Sequence, residues 1–189
     1  MSELIDLGSE HYRKIYNKID HIITVAHRGQ KYGNKDYTYH LYGVVVEALG
    51  MLEEVALNYN KNNPLITLDI YRIAVVSLLH DAVEDDKSWT IDLNYLKSEG
   101  FDDEIVFAID CITKRPDENY QDYIQRVKSS KYAHFVKIAD SRFNLNESKG
   151  LGDSGSTYSK SRIKKYSKNL EILEVDLPNN FDFNNTIEL

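Results

Sequence analysis

Apolar residues recur along most of this chain at three- and four-residue steps, the period of an amphipathic helix. Ile15, Tyr16, Ile19, Ile22, Ile23 and Ala26 predict one long helix ending at His27, after which Gly29 and Gly33 break the pattern and Gly33-Asn34-Lys35-Asp36 reads as a turn-rich loop. A second period through Leu41, Val44, Val45, Ala48, Leu49, Leu52, Val55 and Ala56 stops at the polar run Asn58–Asn63 before Pro64. From about Asp69 to Val83 the chain is apolar nearly all round, which predicts a central buried helix. Asp86–Thr90 is loop-like, a short helix follows to a C-cap at Gly100, and Asp102 is placed to N-cap a helix carrying Ile105, Val106, Ile109 and Cys111. Tyr120, Tyr123, Ile124 and Val127 predict another amphipathic helix. A further buried helix through Ala133, Val136 and Ala139 passes Asp140 and Asn144 and breaks in Gly150–Gly155, and a last one runs from about Ser159 to Val175. The expectation is a single-domain, all-α bundle of about eight helices over residues 1–178, with no sheet and a frayed tail from 179 to 189.

With 189 residues, sparse glycine and only three prolines, the chain suits one mostly helical domain and is short for two. Its net charge of −7 argues against wrapping a nucleic-acid backbone, though not against a small anion held by local cations. The lone Cys111 fits a reducing compartment and reads as a core residue. No apolar run approaches the roughly 20 residues of a membrane span, so the expected location is cytoplasmic, with no membrane partner.

The hexad His80-Asp81-Ala82-Val83-Glu84-Asp85 changes this picture, because it follows the apolar run Ile73–Leu79 and so carries an imidazole and three carboxylates into predicted core. Buried charge is costly unless compensated, and a divalent cation compensates by turning acids into ligands. On a continuous helix, Glu84 lies above His80 and Asp81, and Asp85 above Asp81. The hexad reads as half of a metal site. His27, at the end of an apolar helical face, and Asp140, after Phe135–Ala139, are the candidates for its other half. Gly152-Asp153-Ser154-Gly155-Ser156 looks like a serine-protease loop but lacks any strand context, and reads as a connector that could act as a lid. His11, His21 and His134 carry no assigned role.

Four segments in this order, Ala26-His27-x-Gly29-Gln30, Tyr37-Thr38-Tyr39-His40, Leu78–Asp85 and Val136-Lys137-Ile138-Ala139-Asp140-x-x-x-Asn144-Leu145, resemble the HD-domain hydrolase module of the RelA/SpoT family. The resemblance spans about residues 15–175. It implies a stand-alone, all-α hydrolase without a synthetase domain, which uses Mn²⁺ (Fe²⁺ or Zn²⁺ also suit the donor set) to remove the 3′-pyrophosphate of guanosine alarmones such as (p)ppGpp in the stringent response. It further implies His27, His80, Asp81 and Asp140 as metal ligands, Glu84 and Asp85 as activators of water, and Asn144 and Tyr166 beside a nucleotide substrate. Among the cations needed for an anionic substrate, Arg142 and Lys165 are the expected ones, out of a wider set with Lys31, Lys35, Lys114, Arg115, Lys160 and Arg162. The chain departs from the family at Lys31–Asp36, one residue shorter and without the Arg-Lys-Ser-Gly-x-Pro pattern, and at Leu41, where a proline is usual. That departure keeps open another HD-type phosphohydrolase, such as a 5′-nucleotidase or nucleoside triphosphohydrolase, and a non-catalytic nucleotide-binding protein.

Overall fold

A computed structural model describes residues 10–56, 64–86, 90–150 and 157–174. Among them the chain forms nine helical segments: α1 (Glu10–Ala26), α2 (Thr38–Ala56), α3 (Pro64–Leu79), α4 (Ala82–Asp85), α5 (Leu93–Ser98), α6 (Asp103–Ile112), α7 (Tyr120–Lys128), α8 (Lys131–Gly150) and α9 (Thr157–Leu173). The all-α expectation holds, with one addition. Lys31–Asp36, read as loop, is a minimal antiparallel hairpin of β1 (Lys31–Tyr32) and β2 (Lys35–Asp36), pairing Lys31 with Asp36 and Tyr32 with Lys35. Gly33 turns it at φ +62°, a conformation that disfavours any residue with a Cβ. Two residues per strand are too few to show alternation, so no strand was visible in the sequence. The polar run Asn58–Asn63, the connector 151–156 and the tail from 179 lie outside the described residues.

The ends of the helices follow local chemistry. Asp102 caps α6 by accepting from the Ile105 amide at 2.9 Å, as its position predicts, and Asp92 caps α5 through the Tyr95 amide at 2.7 Å. Gly100 closes α5 at φ +86°, its amide donating to the Lys97 carbonyl at 3.0 Å. Pro64 opens α3, where a missing amide proton costs nothing.

Helix α8 is the axis of the molecule. It packs against α2, α3, α6, α7 and α9, and buries Tyr132, Phe135, Val136, Ile138 and Ala139 almost completely. Around it Ile22 and Ile23 of α1, Leu41 and Val44 of α2, Ile73, Val76 and Leu79 of α3, and Ile105 and Ile109 of α6 complete a continuous core. Each fully buried aliphatic side chain contributes about 1.5–3 kcal/mol by leaving water. His134 belongs to this core structurally: its Nε2 lies 2.7 Å from the Leu173 carbonyl, tying α8 to the end of α9. Cys111 is buried as expected, and burial pushes its thiol pKa up. No helix among the described residues is long and apolar enough to cross a membrane.

One sequence expectation is corrected here. The helix predicted through Val83 stops at Leu79; His80 and Asp81 form a turn, and the chain restarts as the single turn α4. Asp81 stands at the start of α4 with φ −102° and ψ −3° but makes no capping bond. Its carboxylate instead accepts from the Tyr37 hydroxyl at 2.6 Å. The break frees His80 and Asp81 from divergent directions on one helix, and both face the same point.

Candidate metal centre

Two helices and a turn bring four donor groups together. His40 enters from the first turn of α2, His80 and Asp81 from the turn after α3, and Asp140 from the middle of α8. His40 Nε2 lies 3.3 Å from His80 Nε2, 3.5 Å from Asp81 Oδ2 and 3.5 Å from Asp140 Oδ1. His80 Nε2 is 3.0 Å from Asp81 Oδ2 and 3.9 Å from Asp140 Oδ1. His40, His80 and Asp140 are all buried.

This donor set fits a divalent ion. Tetrahedral or octahedral coordination at bonds of about 2.1 Å separates neighbouring donor atoms by about 3.0–3.4 Å, and the donor atoms here lie 3.0–3.9 Å apart, at and somewhat beyond that spacing. His80 Nδ1 lies 2.8 Å from the Ser77 carbonyl and must donate to it, so a neutral His80 presents the Nε2 lone pair to the cluster. Without a cation, two imidazole nitrogens at 3.3 Å need a proton between them or their acids. Burial works against charge on His80, but Asp81 and Asp140 outweigh it and raise its pKa to about 9. In return, and against the same burial, His80 and His40 hold Asp81 well below the ordinary carboxylate range. Asp140 is also lowered: burial opposes its charge, and Lys137 leads the cations that prevail. A metal ion held by these residues would take the place of the His80 proton.

His27, expected as a ligand, stands beside this group. His27 is buried at the end of α1, with its ring stacked on Tyr37 at 4.5 Å. Its Nδ1 donates to Gln30 Oε1 at 2.9 Å, and Gln30 Nε2 donates to Asp85 Oδ2 at 2.8 Å. Burial lowers its pKa, with Gln30 offsetting only part. His27 therefore begins a chain leading to Asp85, while its Nε2 is buried and, among the described residues, without a hydrogen-bond partner. His40, quoted in the sequence only as part of a motif, is the histidine grouped with His80 and Asp140.

The cluster forms one side of a cavity of about 880 Å³, within the range of small-molecule sites. Six cationic residues line it, Lys31, Lys35, Lys114, Lys137, Arg162 and Lys165, against four acidic ones, Asp81, Glu84, Asp140 and Glu147. A dication held by the acids leaves this cavity strongly positive within a chain of net charge −7. Glu84 lines the cavity, and its Oε2 accepts from the Lys114 amide at 3.0 Å. Arg126 holds that loop by donating to the Cys111 and Thr113 carbonyls at 3.1 and 2.9 Å and pairing with Glu118. Asp85 does not line the cavity. It borders a smaller neighbouring hollow with Gly29 and Gln30, so the structure separates the acidic pair that the sequence treats as one unit.

The four expected substrate contacts divide. Lys165 and Tyr166 line the cavity; burial, followed by the nearby Lys137, lowers the Lys165 pKa, and burial raises that of Tyr166. Asn144 also lines it, but its amide is committed: Nδ2 donates to the Asp140 carbonyl and carboxylate, while Oδ1 accepts from Tyr32 at 3.0 Å and Arg162 at 2.9 Å. It holds a ligand. Arg142 is not among the residues lining the cavity, and its guanidinium pairs with Glu174 at 2.8 Å. Arg162, expected only within the wider set of cations, reaches Tyr32, Asn144 and Ser148, and Lys137, outside that set, has its Nζ 2.9 Å from Asp140 Oδ2. Burial opposes the Lys137 charge, but Asp140 and its neighbours raise its pKa well above that of a free lysine.

No protein-family model matches this chain, and no curated protein matches it.

Proposed function

We propose that this chain is a metal-dependent phosphohydrolase that removes the 3′-pyrophosphate of a guanosine or adenosine alarmone such as (p)ppGpp. One observation carries the reading: two histidines and two aspartates converge at the side of a nucleotide-sized cavity whose remaining charge is cationic. His40, His80, Asp81 and Asp140 would hold the ion, and two imidazoles with two carboxylates suit Mn²⁺, Fe²⁺ or Zn²⁺. Bound there, such an ion supplies Lewis-acid polarisation of a phosphoryl oxygen.

The chain's own residues account for the rest. Of the pair Glu84 and Asp85, Glu84 is the carboxylate that faces the cavity, placed by the Lys114 amide to take a proton from an attacking water. Lys137 neutralises Asp140 from the cavity side. Lys114, Arg162 and Lys165 present positive charge to the phosphates, and Tyr166, flanked by Arg162 at 5.3 Å and Lys165 at 5.2 Å, offers an aromatic wall. Asp85 acts at one remove, through Gln30 and His27.

The hairpin keeps a second reading in play. Lys31, Tyr32 and Lys35 line the cavity where the resembling family has a different loop, which favours a changed nucleotide: a 5′-nucleotide or nucleoside triphosphate in place of the 3′-pyrophosphate. Incubation with (p)ppGpp, its adenosine analogue, dNTPs and nucleoside monophosphates, with Mn²⁺ and then with chelator, separates the two by the group released. Mn²⁺-dependent release of pyrophosphate from the 3′-pyrophosphorylated nucleotides is expected. Orthophosphate from a monophosphate, or a triphosphate product, establishes the second reading, and tight nucleotide binding without turnover establishes a non-catalytic protein.

A further inference from the structure

A histidine that holds a metal is normally oriented by a hydrogen bond on its other ring nitrogen. His80 has one, to the Ser77 carbonyl. His40 has none: its Nδ1 is buried and, among the described residues, without a hydrogen-bond partner. Something else must fix the plane of that ring. Tyr32, on β1 of the hairpin, lies flat against it, with centroids 5.1 Å apart and planes only 6° from parallel. Tyr37 and Phe143 meet the same ring at steep angles, at 5.3 and 5.5 Å, and fix its edges and not its plane.

The same tyrosine reaches the opposite ligand. Its hydroxyl donates to Asn144 Oδ1 at 3.0 Å and accepts from Arg162 Nη2 at 3.1 Å, and Asn144 in turn donates to the carboxylate of Asp140.

We infer that Tyr32 is a positioning residue of the metal centre, setting the plane of His40 by stacking and the rotamer of Asp140 through Asn144. The hairpin thereby becomes part of the metal site as well as part of the cavity wall. The inference rests on the reading of His40, His80, Asp81 and Asp140 as a metal centre, and the test separates the two.

Mn²⁺ affinity of the full metal-free chain is measured by calorimetric titration for the parent, Tyr32→Phe, Tyr32→Leu and His80→Ala, alongside the thermal unfolding midpoint of each metal-free protein. Tyr32→Phe keeps the stacked ring and loses the hydroxyl, and is expected to weaken binding about three- to tenfold. Tyr32→Leu loses both and is expected to weaken it about 10- to 100-fold. The phenylalanine variant should thus rescue most of the loss at an unchanged unfolding midpoint, which a merely structural role does not predict. If Tyr32→Leu fails to fold, the Tyr32→Phe measurement alone decides. Affinity within twofold of the parent in the foldable Tyr32 variants, with binding abolished by His80→Ala, overturns the role of Tyr32 and leaves the metal centre standing. Undiminished binding in His80→Ala overturns the metal centre and the inference with it.

Discussion

Gly43 sits three residues after His40 on α2, where that helix passes α8. A Cβ built there would lie 2.7 Å from Phe143 Cδ2 and closer still to Cε2 and Cζ, so Gly43→Ala cannot be accommodated without moving the ring. The ring has little freedom, because it packs at 5.5 Å from His40, 5.8 Å from Tyr39 and 5.9 Å from Tyr32. Two terms oppose each other. Alanine is favoured over glycine in a helix interior by about 1 kcal/mol, while forcing extra volume into a packed interior costs about 1–3 kcal/mol. The net is a destabilisation of about 0–2 kcal/mol, a fall in unfolding midpoint of up to roughly 8 °C for a chain this size. Because Phe143 bears on His40, the same substitution should weaken Mn²⁺ binding by about tenfold, the order expected when a ligand's support is disturbed. Differential scanning calorimetry and Mn²⁺ titration check both. The double variant Gly43→Ala/Phe143→Leu should recover stability, with a coupling of about 0.5–3 kcal/mol. A Gly43→Ala protein that is more stable than the parent, and binds Mn²⁺ equally well, refutes the close-packed support of His40.

Glu84→Gln is expected to lower kcat by about 10²–10⁴ with Mn²⁺ affinity unchanged, whereas Asp85→Asn, acting through Gln30 and His27, should cost less; equal losses in steady-state kinetics contradict the division of the pair. Mn²⁺ binding should strengthen by about tenfold per pH unit between pH 7 and the His80 pKa of about 9, because the ion displaces that proton, and an affinity flat over this range contradicts the displacement. For the metal-free protein the sign is opposite at that end: the raised His80 pKa contributes stability below about pH 6.5 that is lost as pH rises through about 9, and the depressed Asp81 contributes stability that is lost on acidification, both readable from unfolding midpoints across pH. Cys111 should react with a soluble maleimide only at the rate of local opening, far slower than a free thiol, and rapid labelling of the folded protein contradicts its burial.

Most of the helices were legible because their apolar faces are long and regular, and because Asp102 and Gly100 announce their ends. The candidate metal ligands were harder for a definite reason. His27 continues the buried stripe of Ile19 and Ile23 on α1, and His40 begins the buried stripe of Val44 and Ala48 on α2, so period places both inside and cannot say which one meets His80. That choice is made by how α1 and α2 cross, which no single helix encodes. Other signals were present and readable. Arg142 lies two residues after Asp140, roughly the opposite side of a helix with 3.6 residues per turn, while Lys137 lies three before it on the same side. Arg162, Lys165, Tyr166 and Asn169 form one helical face of α9, and all four line the cavity. The break at His80-Asp81 had no marker, since neither glycine nor proline interrupts the run; it is imposed by the Tyr37 hydroxyl and the partner histidines that claim Asp81.

Titration of the metal-free protein with Mn²⁺, in parallel on the parent, His40→Ala and His27→Ala, tests the centre of this account most directly. One ion per parent chain, lost or weakened at least 100-fold in His40→Ala (about 2.7 kcal/mol or more) and retained within a few-fold in His27→Ala, is the predicted result. Full binding by His40→Ala, or its loss in His27→Ala with His40 intact, contradicts it.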